Sequence, residues 1–254
     1  MLPHFVQGQP ASKPAFLIVE SELATNFTML EVEVPPLRDG DRLTRAEFER
    51  RWDAMPEVRK AELIDGVVYM PAALSVDHGT PHFDLITWLG LYQLLTPGIA
   101  GADNASIRFD DENMPQPDAL LRILESHGGQ CRVTSDRYLS GGPELIAEIA
   151  NTTVALDLGA KRDLYRRFGV REYIVWRVAD RAVDWFSLRG GDYVPLLPGP
   201  DGVNRSEVFP GLWLDTVALV NNDARRLLAV AQLGHGSTEH CDFVAELNRR
   251  APGY

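Results

Sequence analysis

Cysteine is scarce in this sequence, with only Cys131 and Cys241 among 254 residues. That scarcity excludes a disulfide-stapled secreted scaffold and favours a reducing compartment. No apolar run approaches the roughly 18 residues that a membrane-spanning helix requires. The N-terminus lacks the basic start, apolar core and cleavage site of a secretory signal. We therefore expect a cytoplasmic protein that has no membrane partner.

Excess positive charge is also missing. The chain has 25 lysine and arginine residues against 36 aspartate and glutamate residues, a formal net charge of −11. Because contacts with phosphate supply most non-specific affinity for nucleic acid, this balance argues against a broad basic surface. The same charge balance is compatible with a local basic cleft. Lys161, Arg162, Arg166, Arg167 and Arg171 form a local basic cluster, although a solvated helix face accounts for the arginines.

The length is enough for one large domain with extensions or for two small domains. Residues 1–40 are rich in proline and lack sustained periodicity, and residues 216–254 are rich in helix formers. We therefore expect an N-terminal extension over 1–40, a main domain over 41–215 and a C-terminal helical extension over 216–254.

Three local signals predict regular structure in the first half of the main domain. The capping box Thr44-x-x-Glu47 predicts a helix over 45–53. The dipeptide Asp65-Gly66, which is typical of a tight turn, predicts a β-hairpin over 61–71. Thr80 followed by Pro81 at the first helical position predicts a second helix that runs to about Leu95.

The stretch 143–178 has the most informative pattern. Leu145 to Ala150 is an apolar run typical of a strand buried on both faces, yet it contains Glu148. Burying an unpaired charge costs several kcal/mol or more, so Glu148 needs a partner such as a metal, a cation or a shared proton.

The helix that follows, predicted over 158–168, supplies a candidate cation. Lys161 falls on its apolar stripe, so the side chain should point inward. We expect Lys161 to reach toward the strand end that contains Glu148. A salt bridge between the two that serves only the fold is the competing interpretation. Asp157 is interpreted as the N-cap of this helix.

Two further carboxylates accompany Glu148. Asp118 follows Pro117 at the start of another apolar run, and Glu62 opens the predicted hairpin. Strand-end carboxylates such as Asp118 and Glu148 can hold a hard divalent cation such as Mg²⁺, with water completing an octahedron. Lys161 could then orient a water molecule or neutralise a phosphate, which suits phosphodiester hydrolysis. The competing interpretations are a turn residue for Asp118 and an exposed strand end for Glu62.

Eight segments of the sequence match one known family in order and spacing. They are the capped first helix, AELIDGVVYM, His78 before the long helix, Pro117-Asp118, AEIA around Glu148, Asp157-x-x-x-Lys161, YRRFGVREYIVW and VFPGLWLD. On these residues the chain resembles, over roughly 42–215, the Uma2 family (DUF820) of restriction-endonuclease-like proteins, within the PD-(D/E)XK nuclease superfamily.

The resemblance implies a fold class and a chemistry. The fold would be α/β, with a restriction-endonuclease-like core whose central mixed β-sheet is flanked by helices. The activity would be hydrolysis of DNA phosphodiester bonds by a homodimeric endonuclease that uses Mg²⁺ or Mn²⁺. By the same resemblance, Asp118 and Glu148 are the metal ligands, Glu62 assists them, and Lys161 is the basic residue of the catalytic set.

One position departs from the superfamily pattern. Two residues after the glutamate, where a lysine is usual, the sequence has Ala150, so Lys161 is expected to be a relocated substitute. Two other functions stay open: a catalytically inactive nuclease-fold interaction protein, which the net charge also favours, and a metal-dependent hydrolase of a smaller phosphate ester. His78 and His82 share a helical face and could bind a metal. We expect instead that one contacts the site and the other lies on the surface.

Overall fold

The structure is a computed structural model that describes residues 16–17, 30–31, 33–71 and 75–250. Most of the predicted N-terminal extension lies outside these residues. The helices in the described part are α1 (Arg45–Asp53), α2 (Val76–Leu95), α3 (Val154–Leu156), α4 (Arg162–Arg167), α5 (Thr216–Val220), α6 (Ala224–His235) and α7 (Thr238–Arg250). A 3₁₀ turn covers Glu125–His127, and a π-helical turn at Asp157–Lys161 joins α3 to α4.

The same residues contain short and long strands. In chain order they are β1 (Phe16–Leu17), β2 (Leu30–Glu31), β3 (Glu62–Ile64), β4 (Val67–Tyr69), β5 (Ile99–Asp103), β6 (Ile107–Arg108), β7 (Ala119–Ile123), β8 (Arg132–Val133), β9 (Leu139–Ser140), β10 (Leu145–Ala150), β11 (Glu172–Arg177), β12 (Ala182–Arg189), β13 (Asp192–Pro195), β14 (Asn204–Arg205) and β15 (Trp213–Leu214).

A six-stranded mixed sheet forms the centre of the fold. Its strand order is β13-β12-β11-β10-β7-β5. Strands β10 and β11 run parallel, while the other neighbouring pairs are antiparallel. The helical segment from α3 to α4 links β10 to β11, because parallel neighbours need a crossover connection. Helices pack on both faces, so the α/β fold with a central mixed sheet flanked by helices is confirmed.

Both faces of β10 are buried, and each face meets a different layer. Leu145, Ala147 and Ile149 share a core with α2 and the C-terminal helices. Ile146 belongs to the opposite core, with α4. Because side chains alternate along a strand, Glu148 points to the side of α4, away from bulk water.

The first helix and the hairpin form where the sequence predicts them. α1 begins after Thr44, whose Oγ1 accepts a hydrogen bond from the Glu47 N–H at 3.4 Å. The Glu47 carboxylate pairs with two arginines of its own helix, so only one half of the capping box is made. The β3–β4 hairpin turns at Asp65 and Gly66, with φ values of 49° and 72°, as a type I′ turn requires. The hairpin places Glu62 at its first position.

The second helix begins earlier than the Thr80-Pro81 signal predicts. α2 starts at Val76 after Ser75, so Pro81 lies inside the helix and the predicted start is wrong. The carbonyl of Ser75 accepts hydrogen bonds from the N–H groups of His78 and Gly79, which closes an additional turn before the proline. Pro81 is the sixth residue of α2 and has no N–H, so the helix lacks one backbone hydrogen bond at this position.

The C-terminal helices cover the α2 side of the sheet. Leu219, Ala231 and Leu247, one each from α5, α6 and α7, belong to the same buried core as α2. None of the described helices, including the 20-residue α2, combines the length and the apolar composition needed to cross a membrane.

Candidate active site

Asp118 and Glu148 face each other across two neighbouring strands. Ala147 of β10 pairs with Ala119 of β7 in antiparallel register, so one step further along the ladder brings Glu148 opposite Asp118. The Ile149 N–H donates to Asp118 Oδ2 at 2.8 Å, and the Asp118 N–H donates to Glu148 Oε2 at 3.4 Å. Both side chains are buried. The structure thus brings together the two carboxylates that the sequence singles out.

Lys161 lies among three carboxylates. Its Nζ is 2.9 Å from Glu62 Oε2, 3.0 Å from Glu148 Oε1 and 3.6 Å from Asp157 Oδ1. The contacts with Glu62 and Glu148 have the length of hydrogen bonds, whereas the contact with Asp157 is a longer ion pair. The Lys161 side chain is only 4% exposed. Lys161 therefore points inward toward Glu148, as its place on the apolar stripe predicts, and Glu62 belongs to the same cluster.

The π-helical turn lets Asp157 and Lys161 face the cluster together. The helical segment begins at Val154, one turn before the predicted start at 158, so Asp157 lies inside it and its prediction as an N-cap is wrong. Its carboxylate accepts a hydrogen bond from the Thr153 hydroxyl at 2.6 Å. Residues four apart share a helical face, and that spacing was the signal that could have placed Asp157 beside Lys161. π-Helical turns are frequent at functional sites.

Two further donors fix the orientation of the carboxylates. The Tyr165 hydroxyl donates to Glu148 Oε1 at 2.8 Å, and the Gln116 N–H donates to Glu62 Oε1 at 2.8 Å. Tyr165 is fully buried. Its position on the helix, four residues after Lys161, was the sequence signal for this contact.

Lys60 is a site residue that sequence reasoning missed. Its Nζ lies 2.7 Å from Asp118 Oδ1 and 3.0 Å from Asn104 Oδ1. Lys60 stands two positions before Glu62 at the start of β3, and the two-residue period of an extended chain puts both on one side. That spacing was the available signal, but a lysine just before a strand is usually a surface residue.

The two histidines of α2 both reach Asp118. His78 Nε2 lies 3.5 Å from Asp118 Oδ2. His82 Nε2 lies 2.9 Å from the Asp118 backbone oxygen and 3.1 Å from Asp103 Oδ1. His78 therefore borders the carboxylate, while His82 holds the backbone of the same residue. Neither is the surface residue that the sequence predicted for one of the pair.

One cavity of about 400 Å³ is lined by the four carboxylates, both lysines and one of the two histidines: Glu62, Asp118, Glu148, Asp157, Lys60, Lys161 and His78. The acidic cluster and both lysines form one part of its wall. The rest comes from the end of the hairpin, the start of α2 and the polar loop 151–153 that follows β10. The cavity is a place where a small polar group can approach the carboxylates directly.

Burial and crowded charges govern protonation in the cluster. Burial raises the pKa of Glu148 to about 8, a rise that Lys161 opposes and the neighbouring carboxylates reinforce. Burial would also raise the pKa of Asp118, but Lys60 and a backbone N–H keep it below its usual value. Burial would lower the pKa of Lys161, yet its three carboxylate partners hold that pKa well above the usual range. Burial would likewise lower the pKa of Lys60, but the nearby carboxylates of Asp118, Glu148 and Glu62 raise it above its usual value. Both lysines are therefore charged.

The donor set fits a hard divalent cation. Glu62, Asp118, Glu148 and Asp157 give four carboxylates against two ammonium groups, so a fully ionised cluster has a charge of −2. In the part of the chain that the structure describes, no three His, Cys, Asp or Glu side chains form a ready metal cage. Mg²⁺ usually takes one or two carboxylates and keeps several waters. Asp118 and Glu148 are the pair that would hold such an ion.

Comparison with known proteins gives a family and a fold. Residues 45–218 match the model of the Uma2 family, described as "Putative restriction endonuclease". The structure is similar to a crystal structure described as a putative nuclease belonging to DUF820 from Anabaena variabilis, with a TM-score of 0.52 and 12% sequence identity. The similarity covers 67% of this chain and 97% of that chain, and at this identity it shows a shared fold. No curated protein matches the chain.

Proposed function

The chain belongs to the Uma2 family, and on that premise we propose that it is an endonuclease that hydrolyses DNA phosphodiester bonds with Mg²⁺ or Mn²⁺. The observation that supports this most directly is the Asp118–Glu148 pair. Two buried carboxylates lie opposite each other on adjacent strands and open onto a cavity. When ionised, they offer the oxygen ligands that a hard divalent cation prefers.

Each residue of the cluster has a separate task. Asp118 and Glu148 would bind the cation. The bound cation would act as a Lewis acid and would lower the pKa of a bound water. Glu62 adds a third carboxylate. Lys161 balances the charge of the cluster from the adjacent helix, in place of a lysine at position 150, where this chain has alanine. Tyr165 fixes Glu148 through its hydroxyl group.

A homodimer is part of the proposal. Cleavage of duplex DNA needs two strands to be cut, and two copies of a single site related by a two-fold axis can meet both strands. The proposal of a homodimer rests on analogy with the family and on the two-stranded geometry of duplex DNA.

A hydrolase of a smaller phosphate ester is the second candidate. The cavity of about 400 Å³ has the size of a small-molecule site. A catalytically inactive interaction protein is the third candidate, because Lys161 already forms ion pairs with three carboxylates and the net charge is −11.

A cleavage assay separates these functions. Plasmid DNA, single-stranded DNA and the small diester bis(p-nitrophenyl) phosphate would each be incubated with Mg²⁺, Mn²⁺ or EDTA. We expect metal-dependent DNA cleavage that Asp118→Asn and Glu148→Gln abolish. The exposed Asp163 of α4 provides the matched control, Asp163→Asn. Turnover of the small diester alone would favour the second candidate, and absence of all cleavage would favour the third.

A further inference from the structure

We propose that Lys60, and not Lys161, is the lysine that contacts the phosphate group of the substrate. This inference rests on the proposed function and assigns a residue that the sequence pattern does not point to. Lys60 Nζ lies 2.7 Å from Asp118 Oδ1, so it adjoins one of the two carboxylates that would hold the cation. A phosphate bound at that cation would therefore lie within reach of the Lys60 ammonium group.

Lys161 is buried among its present partners. Its Nζ forms ion pairs with three carboxylates at 2.9, 3.0 and 3.6 Å, and its side chain is 4% exposed. If Lys161 turned toward a substrate, its buried carboxylate partners would lose the ammonium group that neutralises them, which is a costly change. Lys161 is therefore fixed as a counter-ion of the cluster, and its contribution to a reaction is to keep the carboxylates in place.

Lys60 has the freedom that Lys161 lacks. Its side chain is 21% exposed, and it lines the cavity. Among the described residues its hydrogen-bond partners are Asp118 and Asn104, which leaves one of its three donors for a ligand. The neutral Asn104 is a partner that an incoming phosphate oxygen can replace without leaving a charge unpaired.

The use of lysine at both positions is itself informative. The chain has three lysines, Lys13, Lys60 and Lys161, among its 25 basic residues, and the other 22 are arginines. Two of those three lysines therefore lie in this one cavity wall. An ammonium group is a compact charge that can be shared between a carboxylate and a phosphate, whereas a guanidinium group is a larger planar group with its five donors in a rigid fork. The composition thus agrees with a site that requires an ammonium group at position 60 as well as at 161.

The test compares DNA binding by three variants, without relying on cleavage. A fluorescein-labelled duplex would be titrated with wild type, Lys60→Met and Arg59→Met by fluorescence anisotropy, in EDTA and in Ca²⁺, over a series of salt concentrations. Arg59 is the exposed neighbour of Lys60 in the sequence, so its substitution removes the same charge outside the cavity. Lys161→Met serves as the contrast for a buried lysine, with thermal unfolding measured on every variant.

We expect Lys60→Met to weaken binding about tenfold, the loss typical of a hydrogen bond to a charged group. It should also lower the slope of log Kd against log salt by about one, as the loss of one phosphate contact does. Arg59→Met should bind as wild type does. Lys161→Met should lower the melting temperature, and the folded fraction should bind with the wild-type salt slope. With Mg²⁺, Lys60→Met should reduce cleavage about a hundredfold.

One result would overturn the assignment of Lys60 alone: a wild type that binds DNA, with a Lys60→Met variant whose affinity and salt slope equal those of Arg59→Met. A wild type that binds no DNA at all would overturn the assignment together with the proposed DNA substrate. Failure of the nuclease activity alone gives a different result. In that case the wild type binds DNA in a Lys60-dependent manner but cleaves none, so the phosphate contact stands and the nuclease activity does not.

Discussion

Glu148 faces Asp118 across the β10–β7 ladder, and the Asp118 N–H donates to Glu148 Oε2 at 3.4 Å. Each carboxylate has its own lysine, Lys161 for Glu148 and Lys60 for Asp118. The backbone thus holds two buried acidic groups close together, each with a separate lysine partner. This pair of adjacent buried carboxyl groups is the physical basis of the proposed cation site.

Cation binding should depend on both members of this pair. We expect wild type to bind one Mn²⁺ per chain by isothermal titration calorimetry, and Asp118→Asn or Glu148→Gln to weaken that binding at least tenfold, because each substitution removes a charged ligand. The exposed-site control Asp163→Asn should bind as wild type does. Equal Mn²⁺ affinity in all four proteins would show that the cation binds elsewhere.

Removal of Lys161 should destabilise the fold more than removal of a partly exposed cation. Lys161→Met leaves Glu62, Glu148 and Asp157 buried without their shared partner, and breaking a buried ion pair in this way costs about 3–5 kcal/mol. Arg166→Met, on the same helix with longer ion pairs of 3.7 and 3.9 Å, should cost less than about 1 kcal/mol. Urea denaturation measures both. Equal losses for the two variants would contradict the role of Lys161 as a buried counter-ion.

Stability without metal should fall as the pH rises. The pKa of Glu148 is raised from an ordinary value of 4.5 to about 8 by burial, so the folded state binds this proton more tightly than the unfolded state does. The resulting stability is complete below pH 4.5 and is lost as the pH rises through about 8, with a slope of up to about 1.4 kcal/mol per pH unit. Urea denaturation in EDTA between pH 5 and 8.5 should show this fall.

The control for the pH effect is Glu148→Gln, which has no carboxyl proton at this position. Its unfolding free energy should vary less with pH than that of wild type over the same range. A wild-type profile that rises with pH, or one that Glu148→Gln reproduces, would rule out Glu148 as the titrating group.

The hydroxyl of Tyr165 should matter for the cation and not only for packing. It donates to Glu148 Oε1 at 2.8 Å, and loss of such a supporting hydrogen bond usually costs about tenfold to a hundredfold in metal affinity or activity. We therefore expect Tyr165→Phe to weaken Mn²⁺ binding by about that factor. Tyr193→Phe is the matched control, since the hydroxyl of Tyr193 donates to the backbone oxygen of Val170. Equal Mn²⁺ affinity in the two variants would remove Tyr165 from the site.

Local patterns were enough to predict the parts of the site that lie on one strand or one helix face. The apolar run of β10 indicated that Glu148 is buried, and the helical stripe indicated that Lys161 faces inward. Both conclusions follow from periods of two and of about 3.6 residues, which a sequence displays directly. The mixed sheet between helices was predictable from the family resemblance, and the strand pairing agrees with it.

Contacts between distant segments were not predictable in the same way. The pairing of Lys60 with Asp118 joins residues 58 positions apart, and no local period contains that information. α2 begins early because the Ser75 carbonyl accepts backbone hydrogen bonds from the next turn. The Thr80-Pro81 signal gave no indication of those bonds and predicted a later start. Asp157 was assigned to a helix end because the helical segment was expected to begin one turn later than it does.

The most direct test of the account is the position of a bound cation. Crystals soaked in Mn²⁺ and measured by anomalous X-ray diffraction should show one strong peak at the cavity, coordinated by the carboxylates of Asp118 and Glu148. The same soak of Glu148→Gln crystals should show no peak there. A wild-type cavity without an anomalous peak, or a peak only at exposed carboxylates, would contradict the metal site and the hydrolysis proposed for it.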